Sequence, residues 1–163
     1  MQPCPCGSGN VLAGCCGIYH ANPGTAPTAE ALMRSRYSAY VVRNSDYLLL
    51  TWAKAQRPRK LDLAGDQTEW LGLHIERTEA GRETDDTGRV AFVARFRSQG
   101  VSQALHEDSQ FVRENGSWVY VDGTSELRRT NAGTVKHAAQ TPSRNDPCTC
   151  GSGLKWKKCC GRS

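Results

Sequence analysis

No stretch of this sequence is long and apolar enough to cross a membrane as a helix. Its start, Met1-Gln-Pro-Cys, has neither the basic segment nor the apolar run of a secretory signal. The expected setting is therefore cytoplasmic, where thiols stay reduced, and membrane insertion is excluded. Charge is missing in one place: the first 20 residues contain no lysine, arginine, aspartate or glutamate. Also absent is any Asp–His pair, or any nucleophile with a base at a useful spacing, so catalysis is not the expected reading. Lone histidines such as His74 and His106 are more often ordinary polar side chains than catalysts.

What the chain does have is eight cysteines in two groups of four, with none left over. Cys4-Pro-Cys6 is followed by eight residues and then Cys15-Cys16-Gly17. Cys148-Thr-Cys150 is followed by eight residues and then Cys159-Cys160-Gly161. Each insert opens Gly-Ser-Gly, which supplies the positive-φ freedom a tight loop needs to bring two cysteine pairs together. Four converging thiolates suit zinc, a d¹⁰ ion that takes tetrahedral sulfur. Loops this short bury too little apolar surface to fold alone, so metal–ligand bonds would stand in for a core. Disulfide staples and an iron–sulfur cluster are the alternatives to two zinc ions. Four protein ligands per ion leave no open coordination position, which makes these sites structural or docking elements.

Of the residues, 38% are hydrophobic and 23% charged, a balance that excludes a disordered or fibrous chain and favours one central domain between the cysteine groups. Formal net charge is +5, and two zinc sites of four thiolates each would bring it to about +1. Global charge therefore says little about nucleic acid. Its distribution says more, because the last 28 residues carry six basic side chains against one acid, Asp146.

The central segment reads as helices followed by strands. After a linker at residues 23–27, Thr28 is an N-cap for a helix with the apolar stripe Met33, Tyr37, Tyr40, Val41. Ser45 caps a short second helix running from Tyr47 to Trp52, and residues 54–60 form an exposed basic connection. Strand signals follow: Leu71, Leu73 and Ile75 alternate, residues 91–96 are apolar, and residues 85–88 form a turn. Leu105, Glu107, Ser109 and Phe111 share one face of a longer strand, and Asn115-Gly116 predicts a type I′ hairpin into residues 118–121. The order predicts an α+β domain with an antiparallel curved sheet.

Both cysteine groups resemble the SEC-C motif, the zinc-binding element at the C-terminus of the SecA translocation ATPase. The match is nearly complete in Arg144-Asn-Asp-Pro-Cys-Thr-Cys-Gly-Ser-Gly with Lys157-Lys-Cys-Cys-Gly161. The whole arrangement resembles the YchJ-like family of bacterial proteins. The residues that carry this likeness are Leu32-Met-Arg-Ser-Arg-Tyr37, Thr68-Glu-Trp-Leu-Gly-Leu73, Phe92-Val-Ala-Arg-Phe96 and Trp118-Val-Tyr-Val-Asp-Gly123. The resemblance implies a nuclear-transport-factor-2-like central domain, a cone of curved sheet wrapped on helices. The expected domains are a SEC-C zinc module at residues 1–20, the α+β domain at 28–124, a linker at 125–143 and a second zinc module at 144–163.

The expected zinc ligands are Cys4, Cys6, Cys15 and Cys16 for one ion and Cys148, Cys150, Cys159 and Cys160 for the other. Thr149 stands where the motif usually has proline, and the N-terminal copy lacks the lysines, so it is expected to pack on the domain. In SecA the motif is implicated in contacts with the SecB chaperone and the ribosome. The resemblance thus implies a protein partner, chaperone, translocation or ribosome-associated, met by Lys155, Trp156, Lys157 and Lys158. RNA contact through those residues is a weaker reading, because so few phosphate contacts bind loosely, and DNA is not expected. The alternative function is small-molecule binding or catalysis in the cone, with Tyr37, His74, Glu107 and Ser109 as the pocket.

Overall fold

The structure is a computed structural model and describes residues 1–130. A 3-10 turn, Leu12–Gly14, and a short helix α1, Cys16–Ala21, precede helices α2, Ala29–Val41, and α3, Ser45–Leu50. Four strands follow: β1 Glu69–Ala80, β2 Thr87–Ser98, β3 Val101–Glu114 and β4 Ser117–Arg129. They form one antiparallel meander in the order β1-β2-β3-β4. None of the described helices is long and apolar enough to span a membrane.

Thr28 starts α2 as the sequence predicts, its hydroxyl accepting from the Ala31 amide at 3.0 Å. The second helix starts differently. Asn44, not Ser45, is its cap, accepting from the Tyr47 amide at 3.1 Å. Asparagine and serine are both good caps, and here the first of the pair takes the role. The helix ends at Leu50, so Trp52 lies beyond it and bridges β4 beside Tyr120. Residues 54–60 are exposed apart from the half-buried Pro58, as a solvated connection should be.

Helix α2 is buried on more than its apolar stripe. Met33 and Tyr37 join Leu32, Val90, Phe92, Phe111 and Trp118 in the core over the sheet. On its other sides Ser35, Ser38 and Ala39 are fully covered, by α3 and by the N-terminal cysteine segment. Small side chains allow those close approaches, which a pattern built on large apolar residues does not register.

In β1, the alternation of Leu71 with Leu73 and Ile75 breaks. The register shifts between Trp70 and Gly72, so Leu71 is the extra residue of a bulge and is 47% exposed. Trp70, Leu73 and Ile75 then pack together on the core. The Asn115-Gly116 turn has φ of 51° and 82°, the paired positive values of a type I′ hairpin. Gln99-Gly100, with φ of 50° and 77°, turns β2 into β3 in the same way. Strand β4 is longer than residues 118–121, continuing to Arg129 with Ser125 opposite Glu107 and Leu127 opposite Leu105. Residues 125–129, expected in the linker, are therefore sheet. All five are exposed along this edge, and all but Leu127 are polar, which is why they read as linker.

Replacing Thr28 by alanine removes the α2 cap and is expected to cost about 1 kcal/mol. A urea melt checks it, with a lower midpoint and an unchanged slope as the expected result.

Candidate functional site

The N-terminal cysteine segment closes on itself through its backbone. The Cys4 amide donates to the Asn10 carbonyl at 2.8 Å and the Leu12 amide to the Gln2 carbonyl at 2.8 Å. Gly7 and Gly9 turn the loop at φ of 80° and 81°, as the Gly-Ser-Gly insert predicts. Cys15 and Cys16 arrive from the opposite side at the start of α1. The result places the four Sγ atoms of Cys4, Cys6, Cys15 and Cys16 within 4.8 Å of one another, three of the residues being buried.

That arrangement can be tested against what an ion requires. Four sulfurs bound tetrahedrally at about 2.3 Å lie about 3.8 Å apart along each edge. Cys6 Sγ and Cys15 Sγ stand 3.7 Å apart, the edge of such a tetrahedron and far beyond a disulfide bond of about 2.05 Å. The donor set therefore fits one four-coordinate ion, which these residues would hold. Burial pushes the Cys15 and Cys16 thiols up. Burial also opposes charge on Cys4, but hydrogen bonds from the Cys6 and Cys16 amides and the Ser38 hydroxyl outweigh it and bring that thiol down to about 7. An ion binding near neutral pH thus displaces protons.

The segment is docked on α2. Ser38 Oγ lies 3.7 Å from Cys4 Sγ, and Arg34 Nη1 donates to the Cys6 carbonyl at 3.0 Å. At the far end of α1, His20 Nε2 donates to the Ser35 carbonyl at 2.8 Å, with its ring 4.6 Å from that of Tyr47. The expectation that this copy packs on the domain holds.

A second candidate site lies between α2 and the sheet. A cavity of about 280 Å³ is walled by the rings of Tyr37, Tyr40, Trp52, Trp70, Phe92 and Tyr120. Its polar groups are Arg36, Glu107 and Ser109. Glu107 Oε1 accepts from Ser109 Oγ at 2.7 Å and from the Tyr120 hydroxyl at 3.1 Å. Burial raises the Tyr37 phenol to about 12 and raises Tyr40 and Tyr120 as well, so all three remain neutral donors at neutral pH.

Of the expected pocket residues, Tyr37, Glu107 and Ser109 meet at this cavity. His74 does not. It is exposed on the other face of β1, because Leu73 and Ile75 on either side of it turn to the core. Arg36, Trp52 and Tyr120 were not anticipated. Arg36 sits four residues from both Leu32 and Tyr40, and that helical spacing is the signal that marks it as inward-facing. Trp52 and Tyr120 meet through a bridge between distant segments, for which local pattern offers no signal. Cys148, Cys150, Cys159 and Cys160, with Lys155, Trp156, Lys157 and Lys158, lie outside the described residues.

Residues 28–123 match the family described as the YchJ middle, NTF2-like domain, and residues 144–162 match the SEC-C motif. Two solved structures are similar. A SEC-C motif containing protein from Rhodopseudomonas palustris is 34% identical, with a TM-score of 0.66, over 76% of this chain and 98% of that one. Another from Psychrobacter arcticus is 31% identical, with a TM-score of 0.62, over 99% of this chain and 96% of that one. The central domain is accordingly NTF2-like, helices on a four-stranded antiparallel sheet.

Metal removal is expected to loosen α1 and its seat on α2 together. Chelation, or Cys16→Ser, should lower the melting temperature of the whole domain, and an unchanged value would make the segment a passenger. The sign of the pH dependence follows from the raised thiols. Affinity should fall as pH falls, by about tenfold per pH unit for each proton displaced, as a competing chelator would read.

Proposed function

We propose that the chain, which belongs to the YchJ-like family, is a zinc-binding interaction protein. Two four-cysteine modules would each hold one zinc ion, and the C-terminal one would dock on an acidic partner. The observation that carries the zinc reading is the convergence of the Cys4, Cys6, Cys15 and Cys16 sulfurs within 4.8 Å of one another, with the same cysteine spacing in sequence repeated at Cys148, Cys150, Cys159 and Cys160. Thiolates select a soft or borderline ion, and four protein ligands on one ion fit a structural rather than a catalytic role.

The two modules divide the work in this reading. The N-terminal copy has no lysine, arginine, aspartate or glutamate, and its inward groups are spent on α2. The C-terminal copy carries Lys155, Lys157 and Lys158 beside Trp156, a cationic and aromatic set suited to an acidic protein surface of the translocation, chaperone or ribosomal kind. Support for that partner class is the SEC-C motif itself and this charge pattern. The setting proposed is the cytoplasm, where thiolates stay reduced for metal. A second reading, small-molecule binding in the central domain, is favoured by the aromatic cavity where Tyr37, Glu107 and Ser109 meet.

Replacing Lys155, Lys157 and Lys158 together by glutamate is expected to abolish partner capture while leaving fold and zinc content intact. Capture at the parental level would refute docking through this module.

A further inference from the structure

We propose that the cavity between α2 and the sheet is a binding site for a small aromatic carboxylate, with Arg36 receiving the carboxylate and the surrounding rings holding the aromatic body. The inference rests on the small-molecule reading of this cavity and names the class of ligand it takes.

Arg36 is the first reason. It is 3% exposed, and its two hydrogen bonds, to the Leu48 carbonyl and to Thr51 Oγ1, both at 2.8 Å, leave from Nη1 alone and reach neutral acceptors. Among the described residues it has no carboxylate at ion-pair distance. Glu107, the acid on the same cavity, directs Oε1 to Ser109 and Tyr120 instead. The guanidinium lies 5.0 Å from the centre of the Trp52 ring and 4.7 Å from that of Tyr120. Those faces soften the cost of burying a cation but do not supply a counter-ion.

Trp52 is the second, independent reason. Its Nε1 is a buried donor with no hydrogen-bond partner, a situation rare among folded chains. The indole that carries it lines the same cavity and lies against the same guanidinium. A cation with no carboxylate in contact and an N–H lacking an acceptor, on touching side chains, call for one group: an anionic acceptor with oxygens to share, as a carboxylate has.

The rest of the wall selects what carries the carboxylate. Tyr37, Tyr40, Trp70 and Phe92 offer ring faces and edges, so a flat apolar body gains stacking and burial that an inorganic anion cannot. A volume of about 280 Å³ admits one ring or a fused pair and excludes nucleotides or peptides. Glu107 shares this cavity, and its negative charge opposes a bound carboxylate wherever in it the ligand sits.

Titration of the zinc-loaded full chain by calorimetry tests this, with phenylacetate and indole-3-acetate as probes and phenylacetamide and 2-phenylethylamine as matched neutral and cationic controls. The acids are expected to bind, the amide about tenfold or more weakly, and the amine not at all. Arg36→Gln should lose acid binding. Because that change touches a buried side chain, Glu107→Gln serves as a second variant. Its amide keeps an acceptor for Ser109 and Tyr120 while removing the repelling charge, so it should bind the acids at least as tightly as the parent. Equal binding of acid and amide, or weaker acid binding by Glu107→Gln, would overturn the carboxylate class while leaving a small-molecule cavity standing. Binding of none of the four probes would overturn the carboxylate class and count against the cavity reading as well.

Discussion

The structure depends on one helix that is covered on several sides while carrying polar groups that must all be satisfied. Burying a hydroxyl or a guanidinium without a partner costs more than most single contacts return, so each such group on α2 dictates what lies opposite. Ser38 faces Cys4, Ser35 bonds the Tyr47 hydroxyl at 2.7 Å, and Arg36 reaches the Leu48 carbonyl and Thr51. The cysteine segment, α3 and the cavity wall are thus each seated by a named polar contact to the same thirteen residues.

This arrangement explains how a segment with so small a core of its own is held. Cys4, Cys6 and Cys16 are buried with only Leu12 and Cys15 packed beside them, far too little surface to fix a loop. Ligand bonds to an ion would supply cohesion within the loop, and Arg34, Ser38 and His20 supply attachment to the domain. On the far side of the same helix, the rings of Tyr37 and Tyr40 open onto the cavity. Metal and cavity therefore share a wall without sharing a residue.

Much of this was legible in the sequence, for identifiable reasons. Cysteine spacing and Gly-Ser-Gly encode loop geometry locally, and the four N-terminal thiols converge as that spacing requires. Asn115-Gly116 and Thr28 act through their own backbone, so the hairpin and the helix start were readable as well. The alternation of Leu105, Glu107, Ser109 and Phe111 put all four on one face of the strand, and that face is the one that meets Tyr37. What escaped was set by pairing between distant segments. The bulge that turns Leu71 outward, the extension of β4 to Arg129 and the bridge joining Trp52 to Tyr120 all depend on a partner strand or segment remote in sequence. His74 was misplaced with the pocket residues because neither its type nor its spacing tells which face of β1 it takes. Arg36 escaped because a buried arginine looks, residue by residue, like an exposed one.

The most direct test of the account is native mass spectrometry of the full chain purified without added metal or oxidant. Two zinc ions on one chain, with all eight cysteines in the thiolate count, is the predicted spectrum. A metal-free chain whose mass is short by pairs of hydrogens would contradict it, showing the two cysteine groups to be disulfide staples instead of metal sites.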